Sequence, residues 1–518
     1  MTFEIVFVLL SLLGMVAALV ADKMRPGMIL FSVVVLFLCA GILTPKEMLE
    51  GFSNKGMITV ALLFLVSEGI RQSGTLGQVI KKLLPQGKTT VFKAQLRILP
   101  SVAFISAFLN NTPVVVIFAP IIKHWAKSVN LPATKFLIPL SYVTILGGIC
   151  TLIGTSTNLV VHGMILEAGF EGFSMFELGK VGIFIAIAGI IYIFLFSKRL
   201  LPDARPDTAV PDEEVEEGEK LHRVEAVLGA RFPGINKKLK DFNFQRHYGA
   251  EVKEIKTRNG QRFVTNLDDV VLHEGDTLVV MADDTFIPTW GESSVFVLLT
   301  NGNEPDTTGK KKKRWFALLL LVLMIVGATV GELPITKEMF PDIKLDMFFF
   351  VSITTIIMAW TNLFPARKYT KYISWDILIT IACAFAISKA MVNSGVADSV
   401  AKFIIGLSDD YGPHVLLAML FIITNLFTEL ITNNAAAALA FPLALSIASQ
   451  LGVSPTPFFV VICMAASASF STPIGYQTNL IVQGIGNYKF TDFVRIGLPL
   501  NIITFLISII LIPLIWNF

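Results

Sequence analysis

The sequence predicts a polytopic α-helical membrane protein built on an inverted repeat. Each half would supply five transmembrane helices and one re-entrant hairpin, with a small α/β cytosolic domain inserted between the halves. Three observations predict this. The 518 residues are 54% hydrophobic and 16% charged, with a mean hydropathy of +0.69, outside the range of soluble proteins. Landmarks recur at one offset: Asn111 and Asn433 lie 322 apart, and Ser73-Gly74 returns as Ser394-Gly395 at 321. TLIGTSTNLVVHG (151–163) also returns as TPIGYQTNLIVQG (472–484) at 321, so the chain carries an internal duplication. Finally, the apolar pattern stops between about 198 and 314 and then resumes.

The apolar segments fall at 4–21, 27–43, 57–73, 97–122, 135–165 and 178–197, then at 315–331, 346–364, 374–393, 414–449, 457–484 and 494–516. Most approach the length of about 20 residues that crosses a bilayer as a helix. MTFEIVFVLLSLLGMVAALVADK lacks a basic n-region and a clear cleavage site, so it reads as a first span and not as a cleaved signal peptide. The expected division is 1–200 for the first membrane repeat, 201–314 for the insert and 315–518 for the second repeat. Cys39, Cys150, Cys383 and Cys463 lie in apolar segments without metal-ligand spacing and read as packing residues.

Lysine and arginine placement sets the orientation. Loop 81–97 carries Lys81, Lys82, Lys88, Lys93 and Arg97 without an acid. Lys123, Lys127 and Lys135, Lys198 and Arg199, Lys310 to Arg314, and Arg367, Lys368 and Lys371 mark the same side. These positions are expected in the cytoplasm, and the acid-leaning loops 166–180, 331–346 and 395–411 outside. The segments at 97–122 and 414–449 then begin and end on one side. They read as hairpins, at about 97–125 and 414–449, entering from opposite faces.

Each hairpin carries a polar triplet, Asn110-Asn111-Thr112 or Thr432-Asn433-Asn434. The repeated blocks carry Gly154-Thr155-Ser156-Thr157-Asn158 and Gly475-Tyr476-Gln477-Thr478-Asn479. Glycine permits an unwound turn, and Pro473 removes a backbone donor. Backbone left unpaired at membrane depth survives only against protein or a watery cavity. Broken helices in inverted repeats are where secondary transporters bind substrate and coupling ions. Amide oxygens and unwound carbonyls suit sodium, assigned to Asn110, Asn111, Gly154, Asn158, Thr432, Asn433, Gly475 and Asn479. Hydroxyls, amides and helix N-termini suit an anion, assigned to Asn110, Thr112, Thr155, Ser156, Asn434, Tyr476 and Gln477. The bland alternative is that Asn and Thr merely glue helices together; two triplets and two turns at one offset favour a site.

With these residues the chain resembles the divalent anion/sodium symporters, carriers of sulfate, dicarboxylates and citrate. That family's hallmark is a Ser-Asn-Thr triplet at each of two hairpin tips. The central asparagines Asn111 and Asn433 match, while Asn110 and Thr432 stand where the family has Ser and Asn434 where it has Thr. The resemblance covers both membrane halves. It implies a homodimer with a scaffold and a mobile transport region, working by an elevator-type mechanism. It also implies sodium as coupling ion, no prosthetic group, and a divalent anion as substrate, sulfate slightly favoured over a C4-dicarboxylate. Within the insert, residues about 223–287 resemble an RCK C-terminal (TrkA-C) domain through Gly234, Leu239, Asn243 to Gly249, Arg258 to Gly260 and Gly275 to Leu278. Such domains pair and sometimes bind a small regulatory ligand.

The expected location is the bacterial cytoplasmic (inner) membrane, multi-pass among lipid, with residues about 198–314 cytosolic and no nucleic-acid partner. Glu68 and Lys389 occupy equivalent repeat positions and could pair or line the site. Glu429, three residues before the second triplet, could orient its hairpin or accept protons, and the structural role is favoured. His162 matches Gln483 and reads as a polar wall residue. A cation/proton antiporter or arsenite-type carrier on a related fold would need a buried carboxylate such as Glu429 or Glu68. An RCK-regulated channel is the alternative of another class, but no TVGYG-like filter is present. An enzyme is not expected: no nucleophile–base set, metal cluster or phosphate loop stands out.

Overall fold

A computed structural model describes residues 3–21, 24–203, 221–229, 231–257, 261–283, 285–290, 295–300, 311–340, 342–407 and 412–518. Arg258 to Gly260, Lys310 and most of the acidic linker after Pro202 lie outside the described residues. The first half runs through α1 (Phe3–Ala21), α2 (Pro26–Cys39), α3 (Lys55–Gln72), α4 (Thr75–Leu83), α5 (Val91–Ser106), α6 (Asn111–Ser128), α7 (Leu137–Gly148), α8 (Ser156–Glu167) and α9 (Gly179–Leu200). The second runs through α10 (Lys311–Gly331), α11 (Met347–Trp360), α12 (Trp375–Asn393), α13 (Val396–Leu407), α14 (Gly412–Leu430), α15 (Asn433–Leu451), α16 (Thr456–Ser467), α17 (Gln477–Gly486) and α18 (Phe490–Ile515). The first residues of α11 to α17 follow those of α2 to α8 by 319 to 322 residues, so the sequence offset is carried by whole helices. Among the described residues eight helices are long and apolar enough to cross a membrane. Large apolar side chains such as Leu10, Phe184, Leu319 and Leu506 stand exposed along them, a surface suited to lipid and not to water.

Three local devices repeat between the halves. Gly74 and Gly395, at φ of 72° and 74°, turn the chain from α3 into α4 and from α12 into α13. A side chain would be strained in that left-handed conformation. The short helices they start are amphipathic: Leu76 and Ile80 are buried on α4 while Lys82 is exposed. Short connections then join α5 to α6 and α14 to α15, with a triplet at each. Lastly, helix is interrupted between α7 and α8 and between α16 and α17. The first arm, α5, begins at Val91, six residues before the sequence-based boundary of 97. Thr90 caps it by accepting the N–H of Lys93 (3.4 Å), and Lys93 and Arg97 had masked this polar first turn.

Between the halves lies an antiparallel sheet of β1 (His222–Leu228), β2 (Glu251–Lys256), β3 (Arg262–Phe263), β4 (Thr277–Ala282) and β5 (Phe296–Thr300), in the order β3-β2-β4-β1-β5. β5 lies beyond the 223–287 module expected from sequence and pairs with β1. Phe232, Phe242, Phe244, Tyr248 and Phe296 pack as an aromatic core on this sheet.

The sheet is docked on the helices. Val227 of β1 and Leu298 of β5 are buried in the same apolar core as the membrane helices. Lys123 of α6 pairs with Glu225 of β1 at 2.9 Å, and Lys256 of β2 approaches the same carboxylate at 3.4 Å. A Cβ at Gly484 of α17 would meet Thr277 Oγ1 of β4 at 2.5 Å, and one at Gly275 would meet Leu480 of α17 at 3.2 Å. Arg231 donates to the carbonyl of Ile373, just before α12 (3.4 Å).

Candidate functional site

The two triplets open α6 and α15, and the two interruptions open α8 and α17. Asn110, Thr432, Thr155 and Tyr476 are the cap residues of these four helices, and none satisfies a helix N–H with its side chain. Those side chains and N–H groups are therefore left to the space between the helices. The starts of the four helices meet, and they meet crosswise. Thr112 of the first triplet donates to Gln477 Oε1 of the second turn (3.2 Å). Asn434 of the second triplet accepts from Ser156 (3.3 Å) and Thr157 (3.2 Å) of the first turn. Thr112 and Asn434 are repeat counterparts, as are Gln477 and Ser156, so one contact is the image of the other.

Tyr476 stands at the centre. Its hydroxyl accepts from Asn111 Nδ2 (2.6 Å) and lies 3.0 Å from Thr155 Oγ1. The Asn433 side chain also bonds to it. Its repeat counterpart is Thr155, so one half contributes a phenol where the other has a small hydroxyl.

Behind the tips, Ser106 donates to Asn111 Oδ1 (2.8 Å), and Thr428 donates to Asn433 Oδ1 (2.7 Å). Both donors sit five residues before their asparagine, and they fix which face of each amide points inward. Sequence reading missed this pair. Their spacing of 322 was the available signal, but a lone hydroxyl in an apolar helix reads as back-bonding to its own turn.

The turns are held alike. The N–H groups of Gly154 and Gly475 donate to Thr151 Oγ1 and Thr472 Oγ1, each at 3.2 Å. Asn158 Nδ2 donates to the Thr151 carbonyl (2.9 Å), and Asn479 Nδ2 to those of Thr472 (3.1 Å) and Ser469 (2.9 Å). A Cβ at Gly154 would meet the Gly148 carbonyl at 2.5 Å, and one at Gly475 would collide with Ser469 Oγ. Only glycine lets these backbones approach so closely.

The halves differ in their spare oxygens. Asn479 Oδ1 accepts from Ser141 (2.7 Å). Buried Asn158 Oδ1 and Thr432 Oγ1 have no hydrogen-bond partner among the described residues. A buried oxygen without a donor is unfavourable unless a ligand meets it, so these two are available to a cation. Asn110 is half-buried, and its side chain makes no cap bond to its helix.

Two intramembrane charges, Glu68 and Lys389, lie elsewhere. Glu68 does not pair with Lys389: it accepts from Arg71 at 2.6 and 2.7 Å, and Lys389 is exposed. His162 lies against Gly172. Among the described residues no cluster of three metal-ligating His, Cys, Asp or Glu side chains occurs.

Paired hairpins, interrupted helices and a polar centre in an apolar body define an integral membrane transporter. The sequence pattern of the citrate transporter family matches residues 16–450 and, in an overlapping match, 343–517, and the chain belongs to that family. It is 30% identical to an uncharacterised transporter of Synechocystis over 94% of this chain and 93% of that one. It is 23% identical to the probable sodium/sulfate cotransporter 3 of Chlamydomonas reinhardtii, over 93% and 85%. The solved YdaH transporter of Alcanivorax borkumensis shares the fold, with a TM-score of 0.52 at 12% identity over 99% of this chain and 98% of that one.

Proposed function

We propose that this chain is a sodium-coupled symporter of a divalent anion, with sulfate favoured over a C4-dicarboxylate. The crosswise bonding of each hairpin tip to the other half's turn carries this reading. It brings four helix N-termini, with their partial positive charge, to one small polar centre. The residues making those bonds are uncharged, so an anion held there is balanced by helix ends and by co-bound cations. Asn111, Gly154 and Asn158 would hold sodium in one half, and Asn433, Gly475 and Asn479 in the other, with Asn110 and Thr432 adding oxygens. Thr112, Thr155, Ser156, Asn434, Tyr476 and Gln477 would face the anion. A relative named as a probable sodium/sulfate cotransporter supports sodium and sulfate, and the family description adds citrate as a candidate.

In this reading the tips and turns travel together past a scaffold in an elevator motion. The halves are inverted in a bacterial inner membrane, residues about 198–314 form an RCK-like cytosolic domain, and two chains form a homodimer. The test is uptake of radiolabelled sulfate, succinate and citrate into proteoliposomes, with and without an inward sodium gradient. Sodium-driven uptake of one of them is expected, and Asn111→Ala or Asn433→Ala should abolish it while the protein still elutes as folded wild type. Normal uptake by either variant would sink the site assignment.

A further inference from the structure

Glu429 closes α14, three residues before Thr432. Its Oε1 accepts the backbone N–H of Ser471 in the second turn (2.9 Å) and Asn501 Nδ2 of α18 (2.7 Å), and the same amide donates to Ser471 Oγ (2.9 Å). The other atom of each group, Glu429 Oε2 and Asn501 Oδ1, is buried with no hydrogen-bond partner among the described residues. Asn501 is only 6% exposed.

The repeat supplies a control inside the molecule. Glu429 stands 322 residues after Ala107. The carbonyls of both residues accept the matching threonine hydroxyl, Thr472 Oγ1 at Glu429 (3.2 Å) and Thr151 Oγ1 at Ala107. Alanine is therefore enough to build this junction of tip and turn. In the first half the N–H of Cys150, counterpart of Ser471, is satisfied by the Gly147 carbonyl (3.0 Å). The carboxylate is an addition made in the second half alone: its Oε1 does the work of that carbonyl, and its Oε2 has no such role.

The ionisable groups on the elements packed against α14 are few. α15 has none, α16 has Cys463, α18 has Asp492 and Arg495 in its first two turns, and α13 has Asp398 and Lys402. On α14 itself His414 lies at the opposite end. Tyr142 is nearby, its hydroxyl donating to the Phe470 carbonyl (2.6 Å). Among the described residues no cation is paired with Glu429. A lone carboxylate at membrane depth is costly and marks a functional position. A proton on Oε2 removes the charge and gives that atom a donor.

We propose that Glu429, with Asn501 and Ser471, is a proton-binding site attached to the second unwound turn, loaded and unloaded as the site changes sides. Alternation of sides rests on the symporter reading above; the site itself does not. Two measurements separate them. Infrared difference spectra of detergent-purified protein, titrated across neutral pH, need no transport. A protonated-carboxyl band should appear in wild type, shift in Glu429→Asp and vanish in Glu429→Gln. In proteoliposomes at a fixed sodium gradient and clamped voltage, an inward proton gradient should raise wild-type uptake. The ratio with and without that gradient should fall to one in Glu429→Gln, whatever its basal rate. Absence of the band, or its persistence in Glu429→Gln, overturns the proton site. A band without uptake of any anion by wild type overturns the symporter reading and leaves the proton site standing.

Discussion

Tyr476 is the residue on which most of the centre depends. Its hydroxyl gathers Asn111 and Thr155 of the first half with Asn433 of the second. Tyr476→Phe keeps the ring and removes that oxygen, leaving buried amides short of a partner. Each such loss costs about 1–3 kcal/mol, so thermal stability should fall and uptake should drop by roughly tenfold or more. Uptake within a factor of about two of wild type would deny the hydroxyl a role. That Tyr476 stands in the place of Thr155 was legible from the repeated block. That it bridges the halves was not, since a bond across 365 residues leaves no local pattern. Ser106 and Thr428 went unread for the opposite reason: they look like ordinary helix hydroxyls until the asparagine five residues on is seen accepting from them.

At the scale of elements, the docked sheet makes the clearest expectation. Glu225 is buried, which by itself would raise its carboxyl, but Lys123 and Lys256 outweigh burial and hold it down from 4.5 to about 2. A depressed carboxyl stabilises the contact above the ordinary value and loses it as pH falls from about 4.5 through about 2. Hydrogen exchange of β1 and β5, taken relative to the intrinsic amide rate at each pH, should therefore rise on acidification through that window. Glu225→Lys should raise it at neutral pH, and the charge swap Lys123→Glu with Glu225→Lys should restore part of the protection, because Lys256 still faces position 225. Exchange unchanged in the single variant would show that Val227 and Leu298 hold the dock alone. The apolar helices were legible from composition, and a small α/β domain between the halves from the break in the apolar pattern. α4, α13 and β5 were not: short amphipathic helices resemble polar loops, and β5 follows a stretch without strand periodicity. The dock itself has no sequence signature, because it depends on surfaces that exist only after both parts fold.

At the scale of the whole molecule, neither half owns a complete site. Each supplies a tip and a turn whose partners lie in the other half. Residues 1–305 and 306–518 produced as separate chains should each fail to take up anion, and together in one membrane they should recover uptake. Recovery by one fragment alone would contradict the crosswise arrangement. The repeat was legible because three landmarks shared one offset. The pairing across it was not, because an offset says which positions correspond and nothing about which ones touch. The two halves are also unequal, with a phenol at 476 where the other half has a small hydroxyl at 155, and a carboxylate at 429 where it has a methyl at 107. A turnstile with identical arms rests equally well either way. One whose arms differ in bulk and charge has a resting side, so for a carrier built this way the concentration of cargo that half-fills it should differ between the two faces of the membrane.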